Sequence, residues 1–143
     1  MVDYSTPSPG RFNPLGAQSP RKPKLLIVED DDMLRTQMSW ALAEEYEVCE
    51  AENRETALEV FRKERPVLVT LDLGLPPAAQ GVEEGFLALD AILGIDSSAK
   101  VVIVTGRSER EYRRNALANG AYDFFSKPYD LEELKIVLRR AHY

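Results

Sequence analysis

The sequence contains little of what several common classes of protein require. Its single cysteine, Cys49, excludes an internal disulfide bond and a metal cage built from several cysteines, and fits a reducing compartment. Acidic residues outnumber basic ones by 24 to 18, and the net charge of −6 argues against a nucleic-acid surface, which needs clustered Lys and Arg. The longest apolar runs, such as residues 101–104, are too short to cross a bilayer. We therefore expect neither nucleic-acid binding nor membrane insertion.

The N-terminal segment is unlike the rest of the chain. Residues 1–23 hold five of the nine prolines and lack the apolar stretch of a signal peptide. Such a segment cannot bury enough apolar surface to offset the entropy lost on ordering. We predict a disordered, proline-rich tail over residues 1–23, one folded domain over residues 24–143, and a cytoplasmic location.

From residue 24 onward, short apolar runs alternate with amphipathic stretches. Leu25–Val28 is typical of a strand buried on both faces, and four more predicted strands follow it, each leading into a helix. Strands separated by helices form parallel sheets with right-handed crossovers. The sequence predicts a doubly wound, flavodoxin-like α/β fold of five βα units with strand order 2-1-3-4-5. The later strands are expected at residues 47–51, 67–71, 100–105 and 122–126.

Capping residues mark several helix ends. Asn53 is predicted to cap a helix that runs to Glu64, and Asp130 to cap the last helix. The S-x-x-E pattern of residues 108–111 predicts a capping box that opens the fourth helix, and residues 119–120 (Asn-Gly) should end it.

Polar residues follow four of the five predicted strands. The first strand runs into Glu29 and Asp30, the third into Asp72, the fourth ends at Thr105, and the fifth at Lys127. Each has an ordinary structural explanation when taken alone. Acidic residues start helices, an aspartate can brace a loop, threonine is common in strands, and a lysine at a strand end is usually solvated.

Taken together, these residues predict a functional site. Ligands of doubly wound sheets bind beyond the carboxyl ends of the strands. With the predicted strand order, Glu29, Asp30 and Asp72 meet in one crevice, and Thr105 and Lys127 line its far wall. Mg²⁺ prefers carboxylate oxygens with retained waters and a phosphate oxygen, and phosphoryl transfer needs mainly positioning and charge neutralisation. The sequence therefore predicts a magnesium-dependent phosphoryl site.

Four motifs carry a specific resemblance to a known family. They are LLIVEDD at 25–31, VTLDLGLPP at 69–77, VVIVTG at 101–106 and GAYDFFSKP at 120–128. With these motifs, residues 24–143 resemble the receiver domain of bacterial two-component response regulators. The LDLGLPP segment is also similar to the N-terminal receivers of some σ54-dependent activators.

The resemblance implies a phosphoacceptor switch. Asp72 would be the nucleophile that takes a phosphoryl group from a phosphohistidine donor and forms an acyl phosphate. Glu29 and Asp30 would hold Mg²⁺, partly through water, with the Asp72 carboxylate and the main-chain carbonyl of Gly74 as further ligands. The domain would catalyse only its own phosphotransfer and slow dephosphorylation, and would not be an enzyme that acts on a separate substrate.

The resemblance also implies roles for the opposite wall of the crevice. Lys127 would pair with Asp72 at rest and with a phosphoryl oxygen afterwards, and the Lys127–Pro128 bond would be cis. Thr105 would be the switch hydroxyl. Phe124, in place of the commoner Tyr, would turn inward as Thr105 moves, although core packing alone also explains a phenylalanine here. The loop after Thr105 would then present an altered surface to a partner.

Two features depart from the family pattern. The loop of residues 77–84 is about five residues longer than usual and borders the site, although loops tolerate insertions at little cost. The positions two beyond Asp72 and two beyond Thr105 hold Gly74 and Arg107. Side chains at these positions tune hydrolysis of the acyl phosphate in the family, so the sequence leaves the lifetime of the phosphorylated state open.

The resemblance implies a sensor histidine kinase or a phosphotransfer protein as the donor. A separate output protein, or a downstream ATPase or DNA-binding domain in transcription regulation, would read the altered surface. A phosphorylation-dependent homodimer is a further expectation. Because Tyr143 follows directly on the last predicted helix, a chain that ends there would act as a stand-alone receiver.

Other functions match parts of the sequence. A pseudo-receiver is a docking module that is never phosphorylated; it usually lacks an acidic residue or the lysine, and this sequence retains both. A phosphatase of the dehalogenase type needs a second aspartate where this sequence has Gly74, and a flavodoxin needs a phosphate loop after the first strand. The positions of His142 and Cys49 do not suggest a catalytic triad.

Overall fold

The structure, a computed structural model, describes residues 21–143, so the predicted tail lies outside the described residues except for its last three. None of the helices in this part of the chain is both long and apolar enough to span a bilayer. Strands and helices alternate without a break. They are β1 (Lys24–Val28), α1 (Asp32–Leu42), β2 (Glu47–Ala51), α2 (Arg54–Glu64), β3 (Leu68–Leu71), α3 (Glu83–Ile95), β4 (Lys100–Thr105), α4 (Arg110–Ala118), β5 (Asp123–Ser126) and α5 (Leu131–His142).

The five strands form one parallel sheet in the order β2-β1-β3-β4-β5, which confirms the predicted fold. Successive strand residues point to opposite faces of the sheet, and helices cover both faces. One apolar cluster lies between the sheet and α2, α3 and α4, and a second lies between the sheet and α1 and α5. Because the strands are buried on both sides, their sequences are apolar runs without alternation.

Side chains cap three of the helices at their starts. Asp31 accepts a hydrogen bond from the amide of Leu34 at the start of α1. Asn53 accepts one from the amide of Thr56 in a capping box at the start of α2. Asp130 accepts bonds from two amides in the first turn of α5. The caps at Asn53 and Asp130 confirm the predicted helix starts.

The predicted capping box at residues 108–111 is wrong. The helix α4 begins at Arg110, its N-cap is Glu109, and no side chain caps it. The first helical hydrogen bonds run from the amides of Tyr112 and Arg113 to the main-chain carbonyl of Glu109, over 3.0 and 3.2 Å. Because the helix starts one residue later than the pattern requires, the serine at position 108 precedes the N-cap residue and does not occupy the capping position.

Candidate functional site

Three carboxylates meet at the carboxyl edge of the sheet. Val28 in β1 pairs with Leu71 in β3, so the residues that follow these two strands emerge side by side. The structure brings one carboxylate oxygen from each of Glu29, Asp30 and Asp72 within 4.8 Å of one another. Glu29 and Asp72 are buried, with 2% and 7% of their surfaces exposed, and Asp30 is half-buried. A group of oxygen donors at this spacing can hold a hard divalent cation.

Lys127 is the counter-ion of two of these carboxylates. Its Nζ lies 2.5 Å from Oε1 of Glu29 and 3.1 Å from Oδ2 of Asp72. The main-chain amide of Lys127 donates to the carbonyl of Thr105 over 2.8 Å, which attaches the end of β5 to the end of β4. The Lys127–Pro128 peptide bond is cis. The pairing with Asp72 was expected from the resemblance, whereas the shorter contact with Glu29 was not.

Burial and charge act in opposite directions on this group. Burial raises the pKa of Glu29 to about 7; the hydrogen bond from Lys127 opposes the rise, and the charge of Asp72 adds to it. Burial alone would lower the pKa of Lys127, but its contacts with Glu29 and Asp72 outweigh burial and hold that pKa above its usual value. The ammonium therefore stays protonated and balances part of the negative charge in the crevice.

The Asp72 carboxylate is held at both of its oxygens. Oδ1 accepts a hydrogen bond from the amide of Gly74 over 3.1 Å, while Oδ2 contacts Lys127. The main-chain amide of Asp72 donates to the carbonyl of Val28 over 3.0 Å, which extends the β1–β3 pairing to the site. The carboxylate is thus oriented before any ligand arrives. The predicted role of the Gly74 carbonyl as a metal ligand stays a prediction.

Arg35 is a residue of the site that the sequence interpretation missed. Its guanidinium donates to the main-chain carbonyl of Glu29 over 2.7 Å, to Glu50 over 3.1 Å and to Asp32 over 2.6 Å. Only 14% of its side chain is exposed. Arg35 therefore connects the start of α1 and the end of β2 to the backbone that carries Glu29. Its spacing of three residues from Asp32, typical of an ion pair on a helix, was a usable signal.

Thr105 and Phe124 lie on the same face of neighbouring strands. Phe124 pairs with Ile103, and Thr105 follows Ile103 by two residues, so both side chains point towards the same apolar cluster. Thr105 is fully buried, and its Oγ1 accepts a hydrogen bond from the amide of Arg107 over 3.1 Å. The ring of Phe124 is in the inward position, with 4% of the residue exposed. Arg113 donates to the Phe124 carbonyl over 3.0 Å.

The doubly wound sheet with an acidic crevice at its carboxyl edge defines a receiver-like α/β domain. Residues 25–139 match the family model of the response regulator receiver domain. The chain therefore belongs to the response regulator receiver domain family.

Similar proteins and structures agree with this assignment. Regulatory protein AtoC of Escherichia coli K12 is 34% identical over 119 residues, which are 82% of this chain but 25% of AtoC. Sporulation initiation phosphotransferase F of Bacillus subtilis 168 is 31% identical over 118 residues, covering 82% of this chain and 91% of that protein.

Among solved structures, the non-phosphorylated HemR receiver domain from Leptospira biflexa has a TM-score of 0.75 and 30% identity, covering 84% of this chain and 94% of that one. The receiver domain of NtrX from Brucella abortus has a TM-score of 0.73 and 30% identity, covering 82% of this chain and 96% of that one.

Proposed function

We propose that this chain is a magnesium-dependent phosphoacceptor that takes a phosphoryl group on Asp72 in two-component signalling. The observation that carries the proposal is the meeting of the Glu29, Asp30 and Asp72 carboxylates, with the ammonium of Lys127 paired to Glu29 and Asp72. Membership of the receiver family supports a role in phosphorelay signalling in general. A pseudo-receiver usually lacks an acidic residue or the lysine. This chain retains all three carboxylates and the lysine, so the pseudo-receiver alternative is not favoured.

The donor set fits Mg²⁺. All of its side-chain ligand atoms are carboxylate oxygens, which this hard cation prefers to nitrogen or sulfur. Glu29, Asp30 and Asp72 would hold the ion, together with the Gly74 carbonyl. When bound, Mg²⁺ neutralises negative charge on the oxygens of the transferred group. The protein itself supplies the orientation of Asp72 and the second positive charge, that of Lys127.

The acceptor step follows from the way Asp72 is held. A carboxylate oxygen of Asp72 attacks the phosphorus atom of a phosphohistidine, and the bond from phosphorus to the imidazole nitrogen breaks. The electron pair of that bond stays with the imidazole, which takes a proton from solvent. Lys127, already 3.1 Å from Asp72, exchanges a carboxylate contact for a phosphoryl oxygen. A sensor histidine kinase or a phosphotransfer protein is the proposed donor.

The switch step uses Thr105. Its oxygen accepts a bond from the Arg107 amide, so its own proton is available for a phosphoryl oxygen. Movement of Thr105 would change the loop before α4 and the packing around Phe124, which is already buried. An output protein or a downstream domain would read this change, and a homodimer formed on phosphorylation is part of the same proposal. The proposal makes the chain a cytoplasmic phosphoacceptor, with no separate substrate to turn over.

Incubation with acetyl phosphate and Mg²⁺, followed by intact-mass measurement, tests the proposal. The wild type should gain the mass of one phosphoryl group, and Asp72→Asn should gain none. Asp90→Asn, which alters an exposed aspartate on α3, is the matched control and should behave as the wild type. No gain by the wild type, with no binding of beryllofluoride, would instead favour the pseudo-receiver.

A further inference from the structure

The loop between β3 and α3 folds back onto the site. The loop was predicted over residues 77–84, but α3 begins at Glu83, so the inserted loop is residues 77–82. In it, the amide of Gly81 donates to the carbonyl of Ala78 over 2.9 Å and closes a turn. The turn places the Ala79 carbonyl against Gly74. A Cβ atom at Gly74 would lie 2.5 Å from that oxygen, so a side chain there would displace the loop. Gly74, two residues beyond Asp72, is therefore the residue against which the inserted loop packs.

A second contact holds the other side of the inserted loop. The guanidinium of Arg107 donates to the main-chain carbonyl of Gln80. The same group pairs with Glu109 over 3.2 Å and lies over the ring of Tyr112, 5.9 Å from its centroid. The backbone amide of Arg107 donates to the Thr105 hydroxyl, so the residue that holds the loop is also attached to the end of β4.

These two contacts make the inserted loop a bridge across one side of the crevice. It extends from Gly74, two residues beyond Asp72, to Arg107, two residues beyond Thr105. Asp72 and Thr105 themselves are nearly inaccessible, with 7% and 0% of their surfaces exposed. We propose that the inserted loop, packed against Gly74 and held by Arg107, shields the phosphorylated site from water and lengthens its lifetime. In this proposal, Arg107 is a positioning residue that acts through the loop.

The proposal rests on the proposed function, because it concerns loss of the phosphoryl group from Asp72. In that reaction, a water oxygen attacks phosphorus and the bond from phosphorus to the Asp72 oxygen breaks. The carboxylate leaves with the electron pair, and inorganic phosphate and a proton are released. Attack requires water on the side opposite the leaving carboxylate. A loop along the side of the crevice formed by the ends of β3 and β4 restricts that approach from this side, and loss of its charged hydrogen bond should raise the hydrolysis rate about fivefold.

A double-mutant cycle separates shielding by the loop from a direct effect of the Arg107 side chain. The variants are Arg107→Ala, deletion of residues 78–81, and the two combined. Arg114→Ala, at an exposed arginine of α4, is the matched control. Each protein is phosphorylated with acetyl phosphate, the reagent is removed, and the decay of the phosphorylated form is followed by intact mass. Each single variant should decay about fivefold faster than the wild type, and the control should not.

The combined variant distinguishes the two mechanisms. If Arg107 acts through the inserted loop, Arg107→Ala adds nothing once residues 78–81 are removed. Additive effects, or wild-type decay in the single variants, would overturn the proposal. Failure of the wild type to gain a phosphoryl group would overturn the proposed function, and the shielding proposal that rests on it would be overturned as well.

Hydrogen exchange of the unphosphorylated protein tests whether the contact with Arg107 holds the inserted loop. Exchange at the Gly81 amide should rise in Arg107→Ala and stay unchanged in Arg114→Ala. Equal exchange in all proteins would show that Arg107 does not hold the loop, whatever the result with acetyl phosphate.

Discussion

The ammonium of Lys127 lies 3.1 Å from Oδ2 of Asp72, although 55 residues separate the two in the sequence. The same ammonium lies 2.5 Å from Glu29, so one cation compensates two buried carboxylates. Removing one partner from a buried ion pair is costly because the remaining charge is left without compensation. Lys127 is therefore part of the stability of the resting domain as well as of its chemistry.

Replacement of Lys127 by methionine should destabilise the metal-free protein. We expect Lys127→Met to lower the free energy of unfolding by about 2–3 kcal/mol in urea titrations with a chelator present. The matched control is Lys135→Met, because Lys135 lies 3.8 Å from a largely exposed Glu132. Because Glu132 is solvated and does not depend on Lys135 for compensation, that pair should contribute less than about 1 kcal/mol. Equal losses in the two variants would show that Lys127 does not compensate the buried charges.

Replacement of Asp30 should weaken Mg²⁺ binding without loss of the fold. Asp30→Asn removes one of three converging carboxylates, and we expect calorimetric affinity for Mg²⁺ to fall by at least about tenfold. Glu52→Gln, at an exposed acidic residue just after β2, is the control for net charge and should bind as the wild type. If both variants lose affinity equally, overall charge and not the carboxylate cluster determines binding.

Glycine at position 65 should stabilise the protein. Arg65 follows α2 with φ 50° and ψ 54°, a left-handed conformation in which the Cβ atom of an L-residue crowds its own backbone. We expect Arg65→Gly to raise the free energy of unfolding by about 0.5 kcal/mol. Arg62→Gly, within α2, should lower it by about 1 kcal/mol. Urea denaturation measures both, and destabilisation by both glycines would contradict the argument.

Cys49 should react slowly with alkylating reagents. Its thiol donates to the Leu25 carbonyl at 3.6 Å, and burial, followed by the charge of Glu64, raises its pKa to about 11. Because the thiolate is the reactive form, a raised pKa means less of it at any pH below that value. Relative to an ordinary cysteine, iodoacetamide at pH 8 should modify Cys49 more slowly by a factor on the order of a hundred. Unfolding in urea should restore the ordinary rate; a fast reaction in the folded protein would refute the prediction.

The parts of the fold that depend on local patterns were predictable. Buried strands such as β1 appear as apolar runs, and caps such as Asn53 appear as single residues ahead of a helix. Once the strand order is known, the end of β1 must lie beside the end of β3. The meeting of Glu29 with Asp72 follows from that order, because both residues come directly after paired strands.

Contacts between side chains and distant backbone were not predictable. The bond from Arg35 to the Glu29 carbonyl depends on how α1 packs against β1 and β2, which no short pattern encodes. The contact between Arg107 and Gln80 joins two loops that are 27 residues apart. The wrong capping box had a related cause, since a four-residue pattern does not show how the loop ahead of α4 is arranged.

The inserted loop is held by oxygens of its own backbone. The carbonyl of Ala79 packs against Gly74 and the carbonyl of Gln80 accepts a hydrogen bond from Arg107, and both of these partners lie outside the loop. The side chains of residues 77–80 are exposed and take no part in either contact. Related chains that keep the glycine and the arginine can therefore differ in their side chains at residues 78–80 without losing either contact. Evolution can vary the chemical character of the rim of the crevice while the shape of the crevice is retained.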